Sequence, residues 1–188
     1  YGRISTRGIF PASTTFDTVG IISESVRDSA IVLNAIAAFD SANPLSCSYP
    51  QEDFTRSLES SLSGSIIHIP EEQVRGKADS DIEKNFWKSI RLLKEHGAVI
   101  RHMSFPDYSL YRQVRTQILF AEAYCTHEQL YNKHPSVYDE DVRSDLENGK
   151  KITAPAYIRL LEKNREFSLI FRDLFKDVEI MAVPSTSI

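Results

Sequence analysis

The sequence is poor in the residues and patterns that mark several common classes of protein. Its 188 residues include only 7 glycines, 2 cysteines and 1 tryptophan, and 22 Lys and Arg against 26 Asp and Glu give a formal net charge of −4. The scattered glycines form neither a dinucleotide-binding fingerprint nor a phosphate-binding loop. The negative charge argues against general binding to nucleic acids or anionic membranes, because both need a basic face. No apolar run approaches the roughly 20 residues that span a bilayer.

Cysteine and histidine also lack the spacing of metal or redox sites. Cys47 and Cys125 show no metal-binding spacing and no disulfide framework, which predicts two unlinked thiols and a reducing, cytoplasmic location. The histidines include no His-Glu-x-x-His motif, so we expect no metal and no cofactor. One acidic cluster is spaced for a solvated helix face and not for a cation site. It consists of Asp139, Glu140, Asp141, Asp145 and Glu147.

The remaining composition is typical of a folded domain. With 41% hydrophobic and 26% charged residues, the chain can bury a core and does not resemble a disordered segment. We interpret residues 1–188 as a single domain, in which residues 1–22 are an irregular lead-in and residues 40–53 are a connector. Because the sequence opens with Tyr and not Met, we expect it to be an expressed or cleaved fragment.

Apolar spacing and capping residues predict six helices. Ser25, with Asp28 three residues later, predicts the start of the first helix, whose apolar residues occupy more than one side and predict that it is largely buried. Gly97 is the expected end of the helix that Asp79 begins. The other predicted helices are residues 53–62, 108–130, 135–147 and 154–175.

Three short runs of β-branched and apolar residues predict strands. They are Ser65–Pro70, Ala98–Met103 and Val178–Val183. The first two are joined through one helix, which predicts a parallel βαβ unit with a right-handed crossover. The predicted fold class is α/β, a mixed sheet with a parallel βαβ unit flanked by many helices.

Two polar positions could have either a structural or a functional role. Asp17 lies in a loop bounded by glycines, where its carboxylate could accept backbone amides and tie the loop, or could contact a substrate. Arg115 and Glu122 are seven residues apart and share one side of a predicted helix. A solvated or ion-paired edge is the structural interpretation of that pair.

Several motifs follow one another along the chain in an order that resembles amidase signature enzymes. The opening Tyr1-Gly-Arg-Ile-Ser-Thr-Arg-Gly8 is similar to the segment that follows the family's Gly/Ser-rich nucleophile loop. The later motifs are Ser25-Val-Arg-Asp-Ser29, Leu33–Asp40, Ser65–Pro70, His96–Ile100, Ala121-Glu-Ala123, Asp141-Val-Arg143 with Gly149, and Asp177–Thr186. Each motif is weak alone, but the ordered set covers nearly the whole chain.

The resemblance implies a fold and a chemistry. This chain would form part of an amidase signature fold, C-terminal to the residues that cleave a carboxamide in that family: a nucleophilic serine, a cis-serine and a neutral lysine. Ser5, Ser13 and Lys77 do not stand in that signature, so no catalytic residue is assigned. Ile21 and Glu24 replace a proline and an arginine usual in the family. The Gly20-Ile21 variant and Asn43-Pro44-Leu-Ser46 favour an allophanate-hydrolase-like or unassigned subfamily.

The function implied by the resemblance is that of a non-catalytic fragment of an amidase, which contributes scaffold and substrate-funnel surface. The implied substrate-binding residues are Phe10, Asp17, Tyr111 and Arg115. The implied partners are a small-molecule amide and the missing N-terminal catalytic region, and an uncovered apolar surface would also favour a homo-oligomer. The alternative is a stand-alone binding or interaction domain that uses an amidase-derived scaffold without catalysis.

Overall fold

The structure is a computed structural model that describes residues 2–105 and 108–186, so Tyr1 of the opening motif lies outside the described residues. Five α-helices and three strands form its regular elements within those ranges. They are α1 (Val26–Ile36), β1 (Ile66–Ile69), α2 (Ser80–Glu95), β2 (Val99–His102), α3 (Tyr108–Lys133), α4 (Glu140–Lys150), α5 (Ala154–Leu174) and β3 (Ile180–Met181). Single 3-10 turns occupy Glu71–Gln73 and Pro135–Val137.

The chain divides into two compact units, each built from two stretches of sequence. The first unit comprises Tyr1–Ser60 and Arg115–Leu161, and the second comprises Ser61–Val114 and Glu162–Ile188. The helices α3 and α5 therefore each contribute residues to both units.

The second unit contains a small parallel sheet. Its strand order is β2-β1-β3, and β1 pairs in parallel with both neighbours. The central strand β1 is largely buried, because both of its edges are paired with neighbouring strands and shielded from water. This burial suits its run of isoleucines. The β1-α2-β2 connection confirms the predicted βαβ unit, and the α/β class is confirmed with it.

Helix α2 covers one side of this sheet. Ile69, Val74 and Ile90 form the buried centre of the unit's core. The helix ends as predicted: Gly97 has φ +94°, a conformation that disfavours side chains, and its amide donates to the Lys94 carbonyl while the next amide donates to that of Leu93. This paired capping turns the chain directly into β2.

Helix α1 of the first unit begins as predicted but is not buried as predicted. The Ser25 hydroxyl accepts a hydrogen bond from the Asp28 amide at 3.1 Å, which caps the helix. Ala30 is buried, whereas the apolar side chains on the other side of the helix are exposed to solvent. The prediction of a largely buried helix is therefore wrong, because the described residues of the chain cover only one stripe of α1.

Residues 53–62 form turns in place of the predicted helix. The Asp53 carboxylate accepts hydrogen bonds from the amide and hydroxyl of Thr55 and from the side-chain amide of Asn34. These local bonds compete with helical hydrogen bonds, and a short serine-rich segment gains too little from helix formation to overcome them.

Helices α3 and α4 approach each other closely within the first unit. A side chain on Gly149 would overlap the carbonyl of Phe120, so glycine is required for the two backbones to come this near. The helix predicted over residues 135–147 is divided in the structure: a 3-10 turn at Pro135–Val137 precedes α4, which continues to Lys150.

Candidate functional site

The segment of residues 10–17 is folded on itself in the first unit. One oxygen of the Asp17 carboxylate, Oδ2, accepts hydrogen bonds from the amides of Ala12 at 2.9 Å and Ser13 at 3.0 Å. The amides of Phe16 and Asp17 donate in turn to the Ser13 carbonyl. The loop-tying role predicted for Asp17 is therefore present in the structure.

A buried carboxylate of α3 anchors this segment. Glu122 is 8% exposed, and its Oε2 accepts hydrogen bonds from the Ser13 hydroxyl at 2.5 Å and from the Thr15 amide at 3.0 Å. Its Oε1 accepts short hydrogen bonds from the hydroxyls of Thr15 and of Tyr157 on α5. The two oxygens thus accept four hydrogen bonds, which is the capacity of an ionised carboxylate.

This arrangement corrects the prediction made for Glu122. The predicted solvated or ion-paired edge with Arg115 is wrong for Glu122, which is buried among hydroxyl groups and has no salt bridge in the described part of the chain. The signal available in the sequence was the Ala-Glu-Ala motif, where small neighbours leave room for other elements to reach the carboxylate.

The electrostatics of this cluster follow from burial and hydrogen bonding. Burial raises the pKa of Glu122, but the hydrogen bonds from Ser13, Thr15 and Tyr157 favour its charged form and leave the pKa below its ordinary value. Burial, together with the hydrogen bond to Glu122 and its negative charge, raises the pKa of Tyr157 to about 12. At neutral pH the cluster therefore holds an ionised Glu122 and a neutral Tyr157.

Three of the four predicted substrate-binding residues belong to this segment or to the α3 surface beside it. Phe10 is 69% exposed, and its ring contacts the ring of His127 edge to face, with 5.1 Å between the ring centroids. The guanidinium carbon of Arg115 lies 5.4 Å from the centroid of the Phe16 ring, within the range of a cation–π contact. Together with Asp17, these residues are brought into one assembly of the first unit.

The fourth residue, Tyr111, lies in the second unit. Its ring contacts those of Phe167 and Phe171 at centroid distances of 5.4 and 5.1 Å, and that of Tyr108 at 5.6 Å. Aromatic rings that meet edge to face pack well, so the described surroundings of Tyr111 are those of a packed aromatic cluster.

The hydroxyls of Ser5 and Ser13 both donate hydrogen bonds to carboxylates. Ser5 donates to Asp40 Oδ2 at 2.8 Å, and the same oxygen accepts from the Arg7 guanidinium at 2.9 Å. Hydrogen bonds from Ser5, Ala42 and Arg7 hold the pKa of Asp40 below its ordinary value. Ser13 is fully buried and donates to Glu122. Neither hydroxyl has the neutral base and open approach of an activated nucleophile.

The first unit also contains a cavity of about 190 Å³, which the sequence did not predict. Its lining consists of Gly2, Arg3, Ile4, Thr6, Asp17, Thr18, Val19, Leu33, Asn43 and Leu45. Two of its polar lining residues have partners within the unit: Arg3 pairs with Glu52 and lies over the Tyr49 ring, and Asn43 is hydrogen-bonded to Ser5, Thr6 and Leu45.

Residues 2–105 and 108–186 offer neither a metal centre nor a membrane-spanning helix. Within those ranges, no group of three or more His, Cys, Asp and Glu side chains is placed to hold a metal ion. None of the helices there combines the length and the apolar character needed to cross a bilayer.

Comparisons with known proteins connect this arrangement to a family. Residues 1–188 match the family model described as Amidase. The chain is 33% identical over 126 residues to a glutamyl-tRNA(Gln) amidotransferase subunit of Vesicomyosocius okutanii, which is 67% of this chain and 26% of that protein. It is 26% identical over 187 residues to an amidase of Pseudomonas putida, which is 100% of this chain and 40% of that protein. The chain thus spans less than half the length of these relatives.

Solved structures agree in fold. A vestigial protein complex described as revealing the origins of an s-triazine catabolic enzyme superposes on the whole chain with a TM-score of 0.90 at 21% identity, over 40% of the solved chain. A crystal structure of an amidase gives a TM-score of 0.80 at 23% identity, over 100% of this chain and 39% of that one. Because the family model matches the chain along its whole length, this protein belongs to the amidase family.

Proposed function

We propose that this chain is the non-catalytic portion of a carboxamide-hydrolysing amidase, in which it supplies scaffold and part of the substrate-funnel surface. The observation that carries the proposal is a second apolar stripe on α1. Ile31, Val32 and Ile36 are exposed there, and Phe39 continues the stripe beyond the helix end. A helix that is apolar on both sides is normally covered on both sides.

The occupant that fits this stripe is the catalytic region of an amidase. The chain matches 40% of the Pseudomonas putida amidase and 40% of a solved chain of the same fold, so more than half of such a fold lies outside the matched part. Burying the stripe against that region would remove apolar surface from water, worth roughly 25 cal/mol per Å². When uncovered, the same stripe would favour a homo-oligomer.

The use of the serine hydroxyls supports a catalytic centre elsewhere. A serine nucleophile needs a neighbouring base that can take its proton and room for the carbonyl carbon that it attacks. Ser13 is enclosed, and Ser5 shares Asp40 with the cationic Arg7, which keeps that carboxylate ionised and weakly basic.

The part of the funnel surface in the first unit would be formed by Phe10, Asp17 and Arg115. Tyr111 of the second unit is proposed separately as a substrate contact. An amide substrate presents a carbonyl that accepts and an N–H that donates, so Arg115 and Asp17 are complementary to it. The exposed ring of Phe10 would contact the apolar part of such a substrate. We also propose a cytoplasmic location, which the two free, exposed cysteines support.

A fluorophosphonate probe, which phosphonylates activated serine hydroxyls, tests this proposal. We expect peptide mass spectrometry to find no label on Ser5 or Ser13 at a probe concentration that labels the Pseudomonas putida amidase completely. Stoichiometric labelling of either serine, lost when the chain is unfolded beforehand, would show that the chain carries its own nucleophile and would overturn the proposal.

A further inference from the structure

The segment of residues 10–17 lies along helix α3 and contacts it at three successive positions. The contacts are Phe10 with His127, Ser13 and Thr15 with Glu122, and Phe16 with Arg115. As the segment advances, its partners step backward along α3, so the two run in opposite directions. The Glu122 contact lies in the middle of the three.

Glu122 differs from the other two contacts in strength and burial. Phe10 and Arg115 are exposed, and ring contacts at exposed sites contribute little. Glu122 is buried and accepts three hydrogen bonds from the segment, two from hydroxyls and one from an amide. Hydrogen bonds to an ionised group are roughly twice as strong as neutral ones. The segment should therefore depend on Glu122 more than on either flanking contact.

Tyr157 completes the anchor from a third element. Its hydroxyl donates to the same carboxylate oxygen as that of Thr15, so α5 holds Glu122 in the orientation that the segment requires. Removing the carboxylate would leave the buried Ser13 hydroxyl and the half-buried hydroxyls of Thr15 and Tyr157 without their common acceptor, which is costly where water cannot replace it.

We infer that Glu122 is a positioning residue, which fixes residues 10–17 along α3 and thereby sets the orientation of Phe10 and Asp17. The inference rests on the proposed function only for what Phe10 and Asp17 contact. The anchoring itself requires no substrate and can be measured in the 188-residue chain.

Residue-resolved hydrogen exchange separates positioning from general stabilisation. The amides to follow are those of Thr15, Phe16 and Asp17, which bond to Glu122 or to the Ser13 carbonyl. Amides of α4, such as those of Leu146 and Glu147, serve as the internal reference because α4 belongs to the same unit. In Glu122→Ala we expect the three loop amides to exchange at least about tenfold faster, with less than a twofold change in the reference amides.

Two further variants make the test specific. Glu122→Gln keeps one acceptor oxygen, so it should restore part of the protection lost in the alanine variant. Glu128→Ala is the matched control, because Glu128 is an exposed glutamate on the same helix; it should leave the loop amides within twofold of the wild-type rates. Should Glu122→Ala fail to fold, Tyr157→Phe removes one of the four hydrogen bonds and should accelerate the same three amides by a smaller factor.

Unchanged loop amides in Glu122→Ala, or equal acceleration of loop and α4 amides, would overturn the positioning role. If the alanine variant does not fold, unchanged loop amides in Tyr157→Phe would do so. None of these outcomes depends on amide hydrolysis. The fluorophosphonate experiment, in contrast, tests the proposed function without reference to Glu122, so the two proposals can fail separately.

Discussion

The hydroxyl of Ser13 donates to the carboxylate of Glu122 at 2.5 Å, across 109 positions of sequence. This bond joins the irregular start of the chain to the middle of α3, in a place where both side chains are buried. The buried hydroxyl of Ser13 therefore acts as a structural hydrogen-bond donor. The opening segment is therefore held by a buried charge and not by its own sequence alone.

The ionised form of Glu122 should make stability depend on pH in the acid range. Its pKa in the folded chain lies below the ordinary value of 4.5, so the unfolded chain binds a proton more readily. This contribution to the free energy of unfolding is present above pH 4.5 and is lost as pH falls through the folded-state pKa. Urea unfolding from about pH 3 to 7 should show a smaller pH dependence in Glu122→Gln than in the wild type; equal curves would contradict this.

Tyr157 should titrate separately from an ordinary tyrosine. Burial and the contact with Glu122 raise its pKa to about 12, so its phenol ionises later than an unperturbed phenol near 10. Phenolate absorbance in the near ultraviolet should therefore contain a component that titrates near pH 12 and that Tyr157→Phe removes. The control Tyr49→Phe should keep that component. Between pH 10 and 12 the raised pKa also predicts falling stability, because the folded chain there retains a proton that the unfolded chain releases.

Gly149 should not tolerate alanine. A Cβ there would overlap the Phe120 carbonyl oxygen and lie 3.0 Å from the Tyr124 Cβ, which forces α4 away from α3. We expect Gly149→Ala to lower the free energy of unfolding by about 2 kcal/mol or more, despite the better helix propensity of alanine. Gly20→Ala is the control, since a Cβ at Gly20 would have no neighbour within 4 Å. Comparable stability of the two variants in urea would contradict the close approach.

The exposed stripe of α1 should govern association and not folding. Ile31→Lys and Ile36→Lys replace exposed side chains, so each should change the free energy of unfolding by no more than about 0.5 kcal/mol. Both should weaken self-association of the chain in sedimentation experiments. Val142→Lys, an exposed apolar position on α4, provides the matched control and should leave the sedimentation behaviour unchanged. Loss of folding in the α1 variants would mean that the stripe belongs to the core.

Local signals in the sequence predicted much of this fold. Caps at Ser25 and Asp79, the Schellman glycine at Gly97 and the isoleucine-rich strand β1 depend on residues close in sequence, and the structure confirms them. The turns at residues 53–62 escaped prediction, because Asp53 uses a distant partner, Asn34, as well as its neighbour Thr55. Sequence-based rules take account only of bonds between neighbouring residues, such as the bond of Asp53 with Thr55.

The site was harder to predict from the sequence. Loop tying by Asp17 involves partners four and five residues away, so it could be foreseen. The burial of Glu122 depends on Ser13, Thr15 and Tyr157, which are far from it in sequence, and helical spacing alone placed it on a solvated edge. The exposure of the second stripe of α1 was not predicted for the same reason. Apolar spacing predicts that a side of a helix is covered, but not which part of a protein covers it.

The measurement that tests the central proposal most directly is ammonia release from a panel of simple carboxamides. The purified 188-residue chain would be assayed beside the Pseudomonas putida amidase, with Ser5→Ala and Ser13→Ala variants of the chain in parallel. We predict that the chain and both variants release ammonia at the rate of buffer alone, because the proposed function places the residues that cleave the amide outside it. Ammonia release by the chain that persists through further purification and disappears in Ser5→Ala or Ser13→Ala would contradict a non-catalytic role.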